Sequence, residues 1–123
     1  MILIDTNILI EIYKNNTLIV DVVKKIGQEN ISISDITCAE LYYGARNKKE
    51  LQIIAKDLSK LQIIHIQAEI SDKAVKLVER YAMSHKLSIP DALIAATALY
   101  YNLTLYTLNV KDFSFIESIK LYK

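Results

Sequence analysis

The sequence predicts a single α/β domain in which helices cover both faces of a mostly parallel β-sheet. Short apolar runs alternate along the chain with longer segments whose apolar residues recur at helical spacing. The first run, residues 1–4, is apolar at every position, which is typical of a strand buried on both faces. The chain has 123 residues, 52% of them hydrophobic, so it fills one core and is too short for two domains. Residues 1–123 are therefore one predicted domain.

The N-terminal part predicts one strand and two helices. After the strand, Asp5–Asn7 are residues that favour caps and turns, and they begin a short helix that ends near Asn16. A second helix spans residues 18–26, because its apolar residues fall on one helical face. Gly27 is expected to end this helix.

The middle of the chain predicts two strands separated by a pair of helices. Residues 31–34 are the second strand, and residues 62–66 are the third. Between them lie an apolar-rich helix over residues 37–46 and a helix with an apolar stripe over residues 48–61. Gly44 is expected to mark a kink between these two helices.

The C-terminal part predicts two helices and two strands. A long helix spans residues 69–86, and Ser88–Asp91 begin the next one, since Pro90 fits a first turn whose N–H groups are unpaired. That helix, residues 91–101, is apolar almost all round and is the predicted buried helix, with Asn102 as its left-handed cap. The last two strands are predicted over residues 103–107 and 119–122.

Acidic and amide residues follow several of the predicted strands. Right-handed connections between parallel strands place the strand-to-helix junctions at one edge of the sheet, where α/β proteins bind ligands. Asp5 ends the first strand, Glu40 lies in the first turn after the second strand, and Asp91 opens the buried helix. Asn109 and Asp112 follow the fourth strand. We therefore expect these side chains to meet in one pocket.

Carboxylates gathered in one pocket favour a divalent cation with oxygen ligands. They raise one another's pKa, which is costly unless a cation neutralises them. The chain has one cysteine, Cys38, and two histidines, His65 and His85, so the site favours Mg²⁺ or Mn²⁺ over zinc. Such an ion bridges a phosphate oxygen and lowers the pKa of a bound water. A phosphate group is therefore the predicted target.

Each acid taken alone also has a structural interpretation. Asp5 has the position of an ordinary N-cap, Thr37–Glu40 matches a capping box, and Asp91 stands where a helix dipole favours an acid. Asp112 by itself is an ordinary loop acid. The functional interpretation therefore depends on the joint pattern of the four acids.

Charge and hydropathy exclude further classes of protein. The chain carries 15 Lys and Arg against 14 Asp and Glu, so it lacks an overall basic character. No apolar run approaches the roughly 20 residues that cross a bilayer. Residues 1–7 show neither a basic leader nor a cleavage site, so we expect a cytoplasmic protein with no membrane contact.

Two features near Glu40 are candidate contacts for a partner. Arg46 is interpreted as ending the helix that carries Glu40. There its guanidinium is suited to contact a phosphate or a neighbouring carboxylate, or it is a solvated helix end. Tyr42 and Tyr43 are expected to place one ring toward the core and leave the other for bases or a dimer partner.

Four blocks of the sequence resemble the signature blocks of PIN-domain ribonucleases. They are LIDTN at residues 3–7, ITCAELYYGAR at 36–46, IPDALIAATA at 89–98 and TLNVKDF at 107–113. They stand in the family's order and spacing and cover essentially the whole chain. The length and block order resemble VapC-type toxins of toxin–antitoxin pairs.

This resemblance implies a metal-dependent endoribonuclease with a three-layer α/β/α sandwich. Members are usually homodimers, and an antitoxin encoded beside the toxin neutralises it. Asp5, Glu40 and Asp91 match the three acids that define the family's metal site. The fourth position stays open, because members have either an acid where this chain has Asn109 or an Asn there with an acid at the position of Asp112.

The resemblance also implies a role for each site residue. Asp5 and Asp91 hold Mg²⁺, while Glu40 is a ligand of the same or a second ion, or accepts a proton from the attacking water. Thr6 and Thr107 match positions that orient carboxylates through hydroxyl hydrogen bonds. Thr6 has an equal interpretation as an ordinary first-turn helix residue.

The alternative hypothesis is a non-catalytic PIN-like module that binds RNA or protein. It predicts the loss of at least one defining acid, and all three are present. A phosphoacceptor receiver domain requires adjacent acids after the first strand, and a phosphatase of the haloacid dehalogenase type requires Asp-x-Asp, which Asp5–Asn7 breaks. With only Gly27 and Gly44, the chain also lacks a glycine-rich phosphate loop.

Overall fold

The computed structural model describes residues 1–123 and contains five strands and six α-helices. The strands are β1 (Ile2–Ile4), β2 (Ile31–Ser34), β3 (Gln62–Ile64), β4 (Thr104–Tyr106) and β5 (Lys120–Leu121). The helices are α1 (Thr6–Tyr13), α2 (Thr17–Ile26), α3 (Asp35–Tyr43), α4 (Lys48–Leu58), α5 (Ala68–His85) and α6 (Ile89–Tyr100). Short 3-10 helices span Gln28–Asn30 and Val110–Asp112. This order of elements agrees with the predicted alternation.

The sheet is parallel throughout, with the strand order β3-β2-β1-β4-β5. The chain builds outward from β1 to β3 and then returns to place β4 on the other side of β1. The strand order therefore reverses between β1 and β4, and this is the point at which open α/β sheets bind ligands. The prediction of a mostly parallel sheet is confirmed.

Helices cover both faces of the sheet, and each face has its own hydrophobic core. Neighbouring residues of β1 point to opposite faces, so Leu3 packs in the core beneath α5 and α6, while Ile4 packs in the core with α1 and α4. Helix α6 buries six of its residues, as expected for the predicted central helix. The three-layer α/β/α architecture is confirmed.

The ends of two helices agree with the sequence signals that predicted them. Gly27 ends α2 with a φ of 90°, a conformation that costs glycine little. Asn102 follows α6 with a φ of 55°, in the left-handed region. No helix of the structure combines the length and the apolar character that crossing a bilayer requires.

The connection between α3 and α4 differs from the prediction. Helix α3 begins at Asp35, because the Ser34 side chain caps it by accepting a hydrogen bond from the Ile36 N–H at 3.2 Å. It ends at Tyr43, and Asn47 begins α4 by accepting from the Glu50 N–H at 2.9 Å. The two helices are separate, as predicted, and Gly44 directly follows α3 at the break between them.

Candidate metal-dependent active site

Asp5 lies at the point where the strand order reverses, directly after β1. Its backbone N–H donates to the Tyr106 carbonyl at 2.9 Å, which continues the β1–β4 pairing by one residue. Its Oδ1 accepts from the Thr6 N–H at 2.7 Å, and its Oδ2 accepts from the Thr107 hydroxyl at 2.8 Å. The carboxylate is only 6% exposed. Both oxygens are therefore held in place, one by the first residue of α1 and the other by the residue that follows β4.

Asn7 and Asn109 orient the hydroxyl group of Thr107. Its hydroxyl oxygen accepts from the Asn109 N–H at 3.0 Å and from the Asn7 side-chain Nδ2 at 3.4 Å. The Asn7 Oδ1 accepts from the Leu108 N–H at 3.3 Å, so Asn7 links α1 to the segment after β4. The sequence analysis did not assign Asn7 a role. The one sequence feature that pointed to a role for Asn7 was its position in the LIDTN block.

Glu40 lies in the second turn of α3 and contacts α1. Its Oε1 accepts a hydrogen bond from the Thr6 hydroxyl at 2.7 Å. The Thr37 hydroxyl is fully buried and lies 3.1 Å from the Thr6 hydroxyl. Because Thr6 has one hydroxyl proton and gives it to Glu40, Thr37 is the donor in the second bond. Two hydroxyl groups therefore orient the carboxylate of Glu40.

This geometry corrects two sequence interpretations. The capping box at Thr37–Glu40 was wrong, because α3 begins at Asp35 and Ser34 is its cap. Glu40 was placed in the first turn after the second strand, and it lies one turn further along. Thr6 is part of α1 and also contacts Glu40, so its two interpretations hold together.

Asp91 lies in the first turn of α6, beside the same edge of the sheet. Its backbone N–H donates to the Ser88 hydroxyl at 3.3 Å, so Ser88 is the cap of this helix. Burial, followed by the charges of Asp5 and Asp112, raises the pKa of Asp91 to about 6, and Glu40 adds a smaller contribution. Asp91 is therefore ionised in most molecules at neutral pH.

The structure brings together Asp5, Glu40, Asp91 and Asp112, which we call the acidic cluster. Burial raises the pKa of Asp5 against the hydrogen bonds from Thr107 and Thr6, and the charges of Glu40 and Asp112 raise it further. None of the four carboxylates forms an ion pair with a Lys, Arg or His. Their negative charge is therefore not balanced by the protein itself.

Asn109 and Asp112 lie at the two ends of the 3-10 helix Val110–Asp112, but they contribute different groups to the site. Asp112 is its last residue, and its charge acts on both Asp5 and Asp91. Asn109 contributes its backbone N–H to Thr107 and its carbonyl to the Asp112 N–H at 2.9 Å. Asp112 thus adds charge to the cluster, whereas Asn109 supports the backbone.

The donor set fits a hydrated divalent cation. All donors of the cluster are carboxylate oxygens, and their unbalanced charge favours a hard cation such as Mg²⁺. No three side chains of His, Cys, Asp or Glu converge closely enough to hold one ion between them. Mg²⁺ keeps several of its waters and is usually bound through one or two carboxylates. The geometry therefore suits an ion bound partly through its waters.

Arg46 lies outside the acidic cluster, in the turn between α3 and α4. Its Nε lies 3.1 Å from the Glu50 Oε2, and its side chain is 85% exposed. The expectation that Arg46 ends the helix carrying Glu40 was wrong, because that helix ends at Tyr43. The structure contains the contact with a neighbouring carboxylate, Glu50, whereas a contact of Arg46 with RNA or with an antitoxin stays a prediction.

Known proteins with the same architecture are similar along nearly the whole chain. A family model described as PIN domain matches residues 2–115. The chain is 32% identical over 125 residues to Ribonuclease VapC1 of Methanocaldococcus jannaschii, and this alignment covers 98% of the chain and 86% of the relative.

Two solved structures have the same fold. A toxin–antitoxin complex from Klebsiella pneumoniae contains a chain with a TM-score of 0.82 and 34% identity, covering 97% of this protein and 95% of that chain. VapBC2 from Rickettsia felis, bound to a DNA fragment from their promoter, gives a TM-score of 0.82 and 31% identity, with coverages of 99% and 98%. The chain therefore belongs to the PIN-domain family, as its four sequence blocks predicted, and within that family to the VapC ribonucleases.

Proposed function

We propose that this protein is a metal-dependent endoribonuclease that hydrolyses RNA phosphodiester bonds and acts as the toxin of a toxin–antitoxin pair. The observation that carries the proposal is the acidic cluster at the β1–β4 edge, whose charge no basic side chain balances. Carboxylates held at such an edge are suited to bind a cation that contacts phosphate. RNA is the proposed substrate because the curated relatives are named ribonucleases.

Asp5, Glu40 and Asp91 are proposed to hold Mg²⁺, or Mn²⁺ in its place, one or two of them directly and the rest through its bound waters. When bound, such an ion supplies a water of lowered pKa and stabilises negative charge on the phosphate oxygens. Asp5 is the most rigid of the three, since both its oxygens accept hydrogen bonds. Asp112 adds negative charge that strengthens the attraction for a cation.

Glu40 is also suited to accept a proton. The Thr6 hydroxyl holds Oε1, and no protein group donates to Oε2. The free oxygen is therefore available to the attacking water, either as a proton acceptor or through a bound ion. Thr6 and Thr37 fix the direction of this oxygen and act as positioning residues.

Incubation of total RNA with the purified protein tests this function. We expect cleavage in Mg²⁺ or Mn²⁺ and none in excess chelator, with activity restored when the metal is added back. Cleavage that persists in chelator would contradict the metal dependence. RNA binding without cleavage under any metal, in protein shown by mass to be free of a copurified inhibitor, would favour the non-catalytic binding module instead.

The proposed partner is an antitoxin protein of the VapB type. Solved relatives with more than 30% identity are toxin–antitoxin and VapBC complexes, and they align with this chain over nearly its full length. In the same assay, the antitoxin added to the toxin should suppress cleavage without degrading the RNA itself. An active complex of the two proteins would exclude inhibition by this partner.

The proposed oligomer is a homodimer that packs through the groove between α5 and α6. Six apolar residues line this surface, and the larger ones are Val75, Val78, Ile89 and Leu93. Val75 is 66% exposed and Ile89 is 68% exposed, so a partner would bury much apolar surface here.

Val75→Asp tests the dimer by placing a charge in the centre of that groove. We expect the wild type to sediment as a dimer at micromolar concentration and the variant to sediment as a monomer. Val20→Asp, on the partly exposed α2, is the matched control and should leave the dimer intact. A wild type that is monomeric at every concentration would refute this assembly.

A further inference from the structure

Tyr43 is the most exposed aromatic residue of the protein and has no partner within it. It is the last residue of α3, and 94% of its surface is exposed. Three other exposed tyrosines are engaged: the Tyr13 hydroxyl donates to Asp57 at 2.7 Å, and the rings of Tyr100 and Tyr101 meet edge to face at 4.9 Å. The ring of Tyr43 makes neither kind of contact and adds no packing to the folded chain.

Tyr43 is a helical neighbour of Glu40, one member of the acidic cluster. Tyr43 follows Glu40 by three residues on the same helix, so their side chains share a face with about 5–6 Å between the Cβ atoms. Thr6 and Thr37 hold Glu40 at the β1–β4 edge. A nucleotide next to a phosphate bound at the cluster is therefore within reach of the ring.

Arg46 comes three residues after Tyr43 in the sequence, and its guanidinium has donor groups that no protein atom uses. The Glu50 carboxylate accepts from the Arg46 N–H at 3.3 Å and from the Arg46 Nε at 3.1 Å. This contact leaves both terminal nitrogens of Arg46 without a protein acceptor, and these are groups that bind a phosphate. Three residues span at most about 11 Å, so Tyr43 and Arg46 are close together. We call the surface formed by Tyr43, Arg46, Lys48 and Lys49 the α3–α4 corner.

We infer that the α3–α4 corner binds single-stranded RNA next to the scissile phosphate. Tyr43 stacks on an unpaired base, and Arg46 binds a backbone phosphate. The inference rests on the proposed nuclease function and adds to it the surface and the side chains that hold the strand. Base faces are covered in a duplex, so a stacking ring selects a loop, a bulge or a single strand. The acidic cluster alone gives no such selection.

The charge distribution supports an RNA strand at this place. The acidic cluster holds four of the chain's 14 acidic residues, so 15 Lys and Arg outnumber the other ten. Three of those basic residues lie in the α3–α4 corner, and all three are exposed. The strand is therefore attracted to the corner while its target phosphate meets the cluster.

A single introduced tryptophan reports on this contact directly. The chain has no tryptophan, so Tyr43→Trp places the only one at the proposed stacking position. We expect an unstructured RNA oligonucleotide, added in chelator so that it stays uncut, to quench this fluorescence in a saturable way. Leu18→Trp, at a 76% exposed position on α2, is the matched control and should not be quenched to the same extent. Equal quenching of the two proteins, or none in either, would overturn the inference.

Affinity measurements with modified RNA separate stacking from general attraction. Tyr43→Ala should weaken binding of the oligonucleotide by about 5- to 150-fold, and Tyr43→Phe should bind like the wild type. An abasic nucleotide at the stacked position should remove the difference between the wild type and Tyr43→Ala. Arg46→Gln should lower the slope of log affinity against log salt concentration by about 0.7, the contribution of one phosphate contact.

Failure of this inference differs from failure of the proposed function. Unchanged RNA affinity in Tyr43→Ala, together with metal-dependent cleavage by the wild type, would overturn the corner and leave the nuclease standing. A Tyr43→Ala variant that binds RNA normally but loses affinity for the antitoxin would assign the ring to the protein partner instead. Quenching of Tyr43→Trp without cleavage by the wild type would support the corner and contradict the nuclease.

Discussion

Replacement of Asp91 by Asn is expected to reduce RNA cleavage by at least about 100-fold while the fold stays intact. Asn has nearly the same shape, and its backbone N–H keeps the hydrogen bond to Ser88 that begins α6. The change removes a negative charge that the acidic cluster offers to a cation. Loss of a residue that merely orients a metal ligand costs 10- to 100-fold, so loss of a ligand itself should cost more. Initial cleavage rates in Mg²⁺ measure the effect.

Asp72→Asn is the matched control for this experiment. Asp72 is an exposed acid in the first half of α5, and the substitution makes the same change of one charge. We expect the control to cleave RNA at the wild-type rate, and circular dichroism should show that both variants are folded. Wild-type activity in Asp91→Asn would remove Asp91 from the site and contradict the proposed mechanism.

The same Asp91→Asn substitution is expected to stabilise the metal-free protein by about 1 kcal/mol at pH 7.5. The pKa of Asp91 rises from 3.8 to about 6 on folding, chiefly through burial. A shift of that size corresponds to about 3 kcal/mol, and solvent screening at a half-buried carboxyl reduces it to about 1 kcal/mol. Urea unfolding in excess chelator measures the difference. A variant that is less stable than the wild type at pH 7.5 would contradict the expectation.

The stabilisation should depend on pH in a defined direction. A carboxyl with a raised pKa binds its proton more tightly in the folded state, so the unfolding free energy falls as pH rises from about 4 to above 6. Well below pH 3.8, Asp91 is protonated in both states and contributes nothing. The advantage of Asp91→Asn should therefore be small at pH 4, grow through pH 6 and level off above pH 7. An advantage that is constant with pH would show that the charge is not its cause.

A loss of cleavage together with a gain in stability in Asp91→Asn would mean that the acidic cluster lowers the unfolding free energy of the metal-free chain. The acidic cluster buries carboxylates and places like charges near them, and burial first and then the like charges raise the pKa values of Asp5 and Asp91. A bound cation would offset that cost. Loss of activity with a gain in stability is the combination expected of a functional residue rather than of a helix cap.

Much of the fold was predictable because local signals and burial agree. The apolar run at β1, the glycine after α2 and the almost wholly apolar helix α6 each specify one structure by local chemistry. Where two signals competed, the prediction failed. Thr37–Glu40 matches a capping box, but Ser34 lies nearer the end of β2 and caps α3 first, so the helix begins at Asp35.

The sequence by itself determined the acids and the edge of the sheet on which they lie. Parallel strands with right-handed connections carry Asp5, Glu40 and Asp91 to one edge whatever the packing details are. Only the tertiary structure decided how these carboxylates are held. The bonds from Thr6 to Glu40 and from Thr107 to Asp5 join residues 34 and 102 positions apart, and no local pattern encodes such pairs. They form because the reversal of strand order brings β1, β4 and the start of α1 together, and packing alone fixes which hydroxyl meets which carboxylate.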